Sequence, residues 1–306
     1  MRTYYLYEMS IPHIFLILSL CLLSAQTSHA ALRALVVGIG EYDEQTTGWH
    51  TIHGDNDVTL LSPILERQGF NVVTLVNEHA TKAAIVDALN ELIGQCGTGD
   101  DVYIHFSCHG QRVEDLNGDE ASGLDGSVIP YDACRSSYYL DGTYQGENHL
   151  VDDELSVYLS ALRSKIGDTG RLFLAVDACY SRGIERGYDD DDIGDDCHEL
   201  SPSTIRGTSD VFSANAKGYL ATIATPPSLT TGAHLAVVTA CKEDERNYEY
   251  IDNTTGNVYG SLSFCMAKLI DEGVDFTRWE AYFSQKAYKS SHVFANVQHP
   301  TVTAYR

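Results

Sequence analysis

Two short stretches of the chain carry residue types that could do covalent chemistry. Residues 101–110 (DVYIHFSCHG) are an apolar run ending on a histidine and a glycine, and residues 171–183 (RLFLAVDACYSRG) are a second run ending on an aspartate, a small residue and a cysteine. Short apolar runs bounded by polar residues read as buried strands. In open α/β sheets, the loops that leave the carboxyl ends of strands carry functional groups over a rigid scaffold. A cysteine on one such end and a histidine on another form a candidate nucleophile and base. The thiol must become a thiolate to attack a peptide carbonyl, and a neighbouring imidazolium both lowers its pKa and can protonate a leaving amine. A solitary strand-end cysteine reads more simply as a small buried hydrophobe. Its pairing with His109 turns Cys179 into a candidate nucleophile.

The surrounding elements must bring those two ends together. Residues 32–40 (LRALVVGIG) read as a buried strand closed by glycines. Asn56 or Asp57 can cap a helix whose Val58, Leu61, Ile64 and Leu65 share one face and which ends at Gly69. Residues 71–77 are the next strand, and Thr81 caps a second helix through Ile93, with Ala84, Ile85, Ala88, Leu89 and Leu92 as its buried stripe. With a third strand at 101–107, the β-α-β-α-β alternation implies a parallel, doubly wound sheet. A helix from Asp152 or Asp153 to about Lys165, strands at 172–176 and 234–239, a helix at 261–272 and a closing helix with Trp279, Tyr282 and Phe283 complete the pattern. Residues 111–150 and 182–232 read as loops longer than a compact domain normally carries, and hence as functional inserts.

Residues 1–30 are set apart. An apolar core at 14–23 followed by Ser28, His29 and Ala30 reads as a secretory signal cleaved near Ala30, and the core is too short for a transmembrane helix. The expectation is a secreted or periplasmic protein with no stable membrane insertion after cleavage and one domain over 31–306. Lys and Arg number 20 against 43 Asp and Glu, a net charge of −23. A surface this acidic excludes nucleic acid and anionic membrane as partners and favours divalent cations or basic peptides. Of the 8 cysteines, Cys21 lies in the leader and the others have no regular spacing, so no disulfide framework is expected. A zinc cluster of His105, Cys108 and His109 fails because residues 105 and 108 of one strand point to opposite faces. Cys108, Cys241 and Cys265 read as packing residues.

Ser107-Cys108-His109-Gly110 and Asp177-Ala178-Cys179 occur in order with residues 54–57 (GDND), 115–132 (DLNGDEASGLDGSVIPYD), 151–155 (VDDEL) and 240–249 (ACKEDERNYE). On these motifs the chain resembles the caspase-haemoglobinase fold of cysteine peptidases, and within it the metacaspase branch, from Leu32 to roughly Leu269. A set of ordered matches is far more specific than any one of them. The resemblance implies an α/β, caspase-like three-layer fold with a mostly parallel central sheet and helices on both faces. It implies Cys179 as nucleophile, His109 as acid/base, and the backbone amides of Gly110 and Cys179 as oxyanion donors. The caspase Q-A-C signature is absent, Asp177 standing where glutamine would be. Asp57, Ser107 and Asp177 match positions that line an acidic pocket in metacaspases, which implies cleavage after Arg or Lys. Paired carboxylates select such side chains by charge-assisted hydrogen bonds. The same residues have structural readings, Asp57 as a helix cap and Asp177 as an acceptor for backbone amides.

A Cys/His pair requires no cofactor, but calcium enters through the resemblance. Asp115, Asn117 and Asp119 have the spacing of a calcium loop, yet Glu120 replaces its turn glycine and Gly126 sits where its bidentate glutamate belongs, so this is not an EF-hand. Calcium-activated metacaspases use other acids, of which Asp152 and Asp153 match here as metal ligands and also read as a helix cap. A further family acid, seven residues after the nucleophile, is Arg186 in this chain. Tyr180 stands where the family has histidine, and Arg182 is inserted before Gly183. Arg182 and Arg186 lie beside a pocket expected to accept arginine, which predicts self-cleavage or self-blockade there.

The expected activity is that of a monomeric cysteine endopeptidase acting on protein or peptide substrates after Arg or Lys. Two other readings stay open. One is a catalytically inactive caspase-like module that binds basic peptides or calcium, and the other is a clostripain-like or legumain-like peptidase sharing only the dyad. The presence of both Cys179 and His109 favours an enzyme.

Overall fold

Alternation along four strands sorts their side chains into two layers, as the pleat requires. In the computed structural model, Leu35 and Val37, Ile104 and Phe106, Leu172 and Leu174, and Leu235 and Val237 enter one core. Ala34 and Val36, Tyr103, Phe173 and Ala175, and Ala236 and Val238 enter the other. The structure describes residues 30–115, 117–118, 120, 122–136, 143–179, 205–208, 210–213, 232–242, 245–285, 293 and 298–306. Residues 1–29, where a signal is expected, and positions Asp119, Tyr180, Arg182 and Arg186 lie outside the described residues.

The chain runs β1 (Leu32–Gly38), α1 (Gly54–Arg67), β2 (Asn71–Val76), α2 (Lys82–Gln95), β3 (Asp101–Ser107), β4 (Gly110–Glu114), β5 (Leu124–Val128), β6 (Leu150–Val151) and α3 (Asp152–Ile166). It continues with β7 (Arg171–Asp177), β8 (His234–Thr239), β9 (Glu249–Ile251), β10 (Val258–Gly260), α4 (Ser261–Asp271), α5 (Trp279–Ser284) and β11 (Thr301–Tyr305). The main sheet has the order β11-β8-β7-β3-β1-β2. Its pairings are parallel except at β11, which runs antiparallel to β8. Helices α2 and α3 bury Ile85, Leu89, Leu155, Leu159 and Leu162 on one face of the sheet. Helices α1, α4 and α5 bury Leu61, Leu65, Leu262, Met266, Trp279 and Phe283 on the other. This is the expected three-layer, mostly parallel architecture, and β11 is an addition that sequence reading missed.

Several local expectations are corrected. Residues 111–150 are not simply a loop, because β4, β5 and β6 form a second, antiparallel sheet. Its strands are too short and too rich in Gln111, Gly126 and Ser127 to show apolar alternation. Helix α1 starts at Gly54 with His53 as N-cap and no side-chain cap, so neither Asn56 nor Asp57 caps it. Asp57 lies inside the first turn, fully buried, with its carboxylate engaged elsewhere. Val151 is the N-cap of α3, so Asp152 and Asp153 open that helix without capping it. Thr81 does cap α2, accepting the Ala84 N–H at 3.3 Å. The six described cysteines, Cys96, Cys108, Cys134, Cys179, Cys241 and Cys265, are free and buried.

Within the small-sheet region His149 bonds Tyr144 Oη at 2.8 Å and Gln111 Oε1 at 3.0 Å, and its carbonyl accepts from Lys82 Nζ of α2 at 2.8 Å. Burial, followed by the charge of Lys82, lowers its pKa from 6.5 to about 3. A histidine depressed on folding contributes stability that is fully present above pH 6.5 and is lost as pH falls toward 3. His149→Gln removes that titration. The stability advantage of wild type over this variant is therefore expected to shrink by about 1.4 kcal/mol per pH unit below pH 6.5 in urea unfolding. A gap that does not change with pH would overturn the assignment.

Candidate active site

The register of β3 and β7 brings the two chemical ends together. They pair in parallel with Ser107 opposite Asp177, and His109 and Cys179 each follow two residues beyond that rung. Both are fully buried.

The imidazole of His109 is held on three sides. It stacks on Trp49 at 4.8 Å between ring centroids and packs against Tyr42 at 5.0 Å and His50 at 4.8 Å. Its Nε2 lies 2.8 Å from the His50 carbonyl oxygen, which can only accept, so Nε2 carries the proton. Nδ1 is buried with no hydrogen-bond partner and presents a lone pair. Burial pushes the His109 pKa down to about 3. The Cys179 thiol accepts the Asn247 N–H at 3.1 Å, and burial pushes its pKa up to about 12. At neutral pH both groups are uncharged in this state.

The backbone around Cys179 receives a segment of the chain itself. The Arg206 carbonyl accepts the Cys179 N–H at 2.9 Å and the Gly110 N–H at 3.1 Å, so the two expected oxyanion donors converge on one oxygen. Those lengths match the range for donors aimed at a developing oxyanion. The Arg206 N–H donates to the Asn247 carbonyl at 3.1 Å. Ile205 bridges Tyr248 antiparallel, while Gly207 and Phe212 bridge Gly110 and Val113 parallel, so single backbone bridges hold the segment against its neighbours.

The Arg206 side chain is fully buried in an acidic pocket. Its guanidinium lies 3.0 Å from Asp57 Oδ2, 3.1 Å from Glu249 Oε1 and 4.0 Å from Asp177 Oδ1, and it also donates to Ser107 Oγ. Ser107 in turn donates to Asp57 at 2.5 Å. Asp57 accepts the Gly260 N–H at 3.0 Å, and Asp177 accepts from the backbone and hydroxyl of Ser263 and from Asn247 Nδ2 at 2.6 Å. Asp177 thus faces the Arg206 guanidinium and also accepts a backbone amide. The pocket is open because residue 260 has no side chain; a Cβ there would fall 2.1 Å from Asp177 Oδ2 and 2.7 Å from the guanidinium. Burial works against the charge on Arg206, yet Asp57, Asp177 and Glu249 outweigh it and raise its pKa. Asp57 rises to about 6 through burial, with Arg206 opposing and Asp177 reinforcing.

Asp152 and Asp153 lie apart from this pocket. Both carboxylate oxygens of Asp152 are buried without a hydrogen-bond partner, and its pKa is raised by burial and then by Asp125 and Asp153. Carboxyl oxygens of Asp115, Glu120 and Asp125 lie within 4.8 Å of one another. This converging set of carboxylate oxygens fits a hard cation such as calcium, and it does not include the expected ligands Asp152 and Asp153. His105 bonds Tyr103 and Ser263 at 2.7 and 2.9 Å, which engages both its ring nitrogens without a metal.

Sequence reading missed Glu249, Arg206, Asn247, His50, Trp49 and Asp125. The Trp49-His50 pair inside a polar loop was the one local signal for the histidine clamp. Glu249 and Asn247 lay within a quoted motif with nothing to single them out.

A caspase-domain family model matches residues 31–272. Metacaspase-1B of Aspergillus fumigatus is 32% identical over 160 residues, covering 49% of this chain and 35% of the relative. Metacaspase-1 of Eremothecium gossypii is 24% identical over 276 residues, covering 78% of this chain and 57% of the relative. The matched part of the chain therefore spans only 35% to 57% of these relatives. The crystal structure of a Geobacter sulfurreducens protein superposes with a TM-score of 0.59 at 18% identity, covering 90% of this chain and 94% of that one, which speaks to the fold. With its strand-end cysteine and histidine on a mostly parallel three-layer scaffold, the chain belongs to the caspase-domain family.

Proposed function

We propose that the chain is a cysteine endopeptidase that cleaves peptide bonds after basic residues. The observation that carries this reading is Arg206, whose guanidinium is buried among Asp57, Asp177 and Glu249 while its carbonyl oxygen accepts the Gly110 and Cys179 amides. In this reading Cys179 Sγ gives its proton to His109 Nδ1 and attacks the carbonyl carbon. Negative charge develops on the oxygen that faces the two amides, and His109 then protonates the leaving amine. Water hydrolyses the resulting thioester and restores the thiol. Removing one such amide donor typically costs about 3–4 kcal/mol of barrier.

Three carboxylates around one cation favour Arg and Lys and repel Asp. A planar guanidinium can engage Asp57 and Glu249 at once, as Arg206 does, whereas an ammonium acts as a point charge, so Arg is expected to be preferred over Lys. The test is hydrolysis of reporter peptides ending in Arg, Lys or Asp by the full chain under reducing conditions, with calcium or chelator. Turnover in the order Arg above Lys, with none after Asp, is expected. Turnover only after Asp would sink the pocket assignment, and no turnover would favour a peptide-binding module.

Calcium belongs to this proposal as a cofactor that would be held by the converging carboxylates of Asp115, Glu120 and Asp125, where it would offset the negative charge that raises the pKa of Asp152. Export through residues 1–30, with cleavage near Ala30, belongs to the same proposal and rests on the leader sequence. No helix among the described residues is long and apolar enough to cross a membrane.

A further inference from the structure

We propose that the peptide bond between Arg206 and Gly207 is the chain's own scissile bond, and that Ile205 to Thr208 keeps the active site closed until the chain cuts itself there. This rests on the peptidase reading above and extends it to a particular bond.

This segment presents a backbone amide, a carbonyl and a basic side chain in the manner of a bound substrate. Its amide, carbonyl and guanidinium occupy the Asn247 carbonyl, the two oxyanion donors and the carboxylate pocket. Isolated backbone bridges flank the bond, to Tyr248 before it and to Gly110 and Val113 after it. Gly207 also lies against the nucleophile: a Cβ built on it would fall 2.5 Å from Cys179 Cβ and 3.2 Å from Sγ. A residue with a side chain would push the bond away from the thiol, and glycine does not.

The part after the bond has anchors of its own. Phe212 is buried against Tyr144 and His149, its N–H donates to the Arg112 carbonyl at 2.9 Å, and Asp210 pairs with Arg135 at 2.5 Å. Residues after the cut can therefore stay docked while Arg206, now ending in a carboxylate, leaves the pocket. In the covalent step the bond from Sγ to the Arg206 carbonyl carbon forms as the bond from that carbon to Gly207 N breaks. The thiol proton passes through His109 Nδ1 to the new amine, and water then releases Arg206 as the acid and regenerates the thiol.

Arg182 and Arg186, the arginines that sequence reading favoured for this role, lie outside the described residues. Arg206 was passed over because nothing in residues 201–213 (SPSTIRGTSDVFS) marks it as bound.

The experiment follows the full chain in reducing buffer, with calcium or chelator, by intact mass, amino-terminal sequencing and hydrolysis of an arginyl reporter peptide. Wild type is expected to split after Arg206, with a new amino terminus at Gly207, and to hydrolyse the reporter after a lag that shortens as the fragments appear. Cys179→Ala is expected to stay joined. Arg206→Gln should stay joined at this bond and hydrolyse the reporter without a lag, at an initial rate about tenfold or more above uncut wild type, because no internal ligand competes for the pocket. The wild-type fragments and the Cys179→Ala control test the bond even if Arg206→Gln folds poorly with three carboxylates unpaired.

Wild type that hydrolyses the reporter at full rate from the start while remaining joined at 206–207 overturns the inference and leaves the peptidase reading intact. A cut after Arg182 or Arg186 in place of Arg206, or a cut after Arg206 that persists in Cys179→Ala, also overturns it. Absence of both fragments and reporter turnover in every form removes the peptidase reading itself, and this inference with it.

Discussion

Replacing Cys179 by alanine is expected to lower the turnover of an arginyl reporter peptide by on the order of 10,000-fold or more, and replacing His109 by alanine to do nearly the same. Each acts only through the other. The thiol is pushed up to about 12 and the imidazole down to about 3 by burial, so neither is charged at neutral pH and neither does chemistry unaided. The lone pair on His109 Nδ1 has no partner in the closed state and is available to the thiol proton. A unit of this kind is grossly non-additive, so the Cys179→Ala/His109→Ala double variant should be no slower than either single one. Additive losses would indicate that the two side chains act separately. An active Cys179→Ala chain would move the nucleophile elsewhere.

Asp57→Ala is expected to lower kcat/KM for an arginyl reporter by roughly 100- to 5,000-fold, the scale of about 3–5 kcal/mol for removing one partner of a buried pair. Asp57 is fully buried, lies 3.0 Å from the guanidinium and also holds Ser107 and the Gly260 N–H. Truncation therefore removes charge and leaves polar groups unpaired, which costs stability as well. The ratio of rates on arginyl and uncharged reporters separates the two effects. A loss of selectivity for charge should collapse that ratio, whereas a merely weakened fold would lower both rates together. A ratio that survives Asp57→Ala would show that Asp177 and Glu249 suffice.

Much of the scaffold was legible because it is written in local periodicity. The apolar runs at β1, β3, β7 and β8 and the Thr81 cap of α2 depend on neighbours a few residues away, and those expectations match the fold. The small sheet β4–β5–β6 was not legible, since strands of two to five residues show too little alternation to stand out. Edge strand β11 was missed because its residues are only partly buried and its partner β8 lies some sixty residues earlier.

At the site, residue types named Cys179 and His109, and the family resemblance named Gly110, Asp57, Ser107 and Asp177. By itself the sequence determined which strand ends carry the thiol and the imidazole. Only the tertiary structure decided which arginine enters the pocket, that Glu249 joins it from the far side, and that the His50 carbonyl sets the His109 tautomer. These depend on contacts between residues far apart in the chain, 43 positions for Arg206 with Glu249 and 59 for His50 with His109, and more for Asp57 with Arg206. No local pattern encodes such distances. They are fixed by sheet register and burial, where an unpaired charge is so costly that the cation and its carboxylates must find one another.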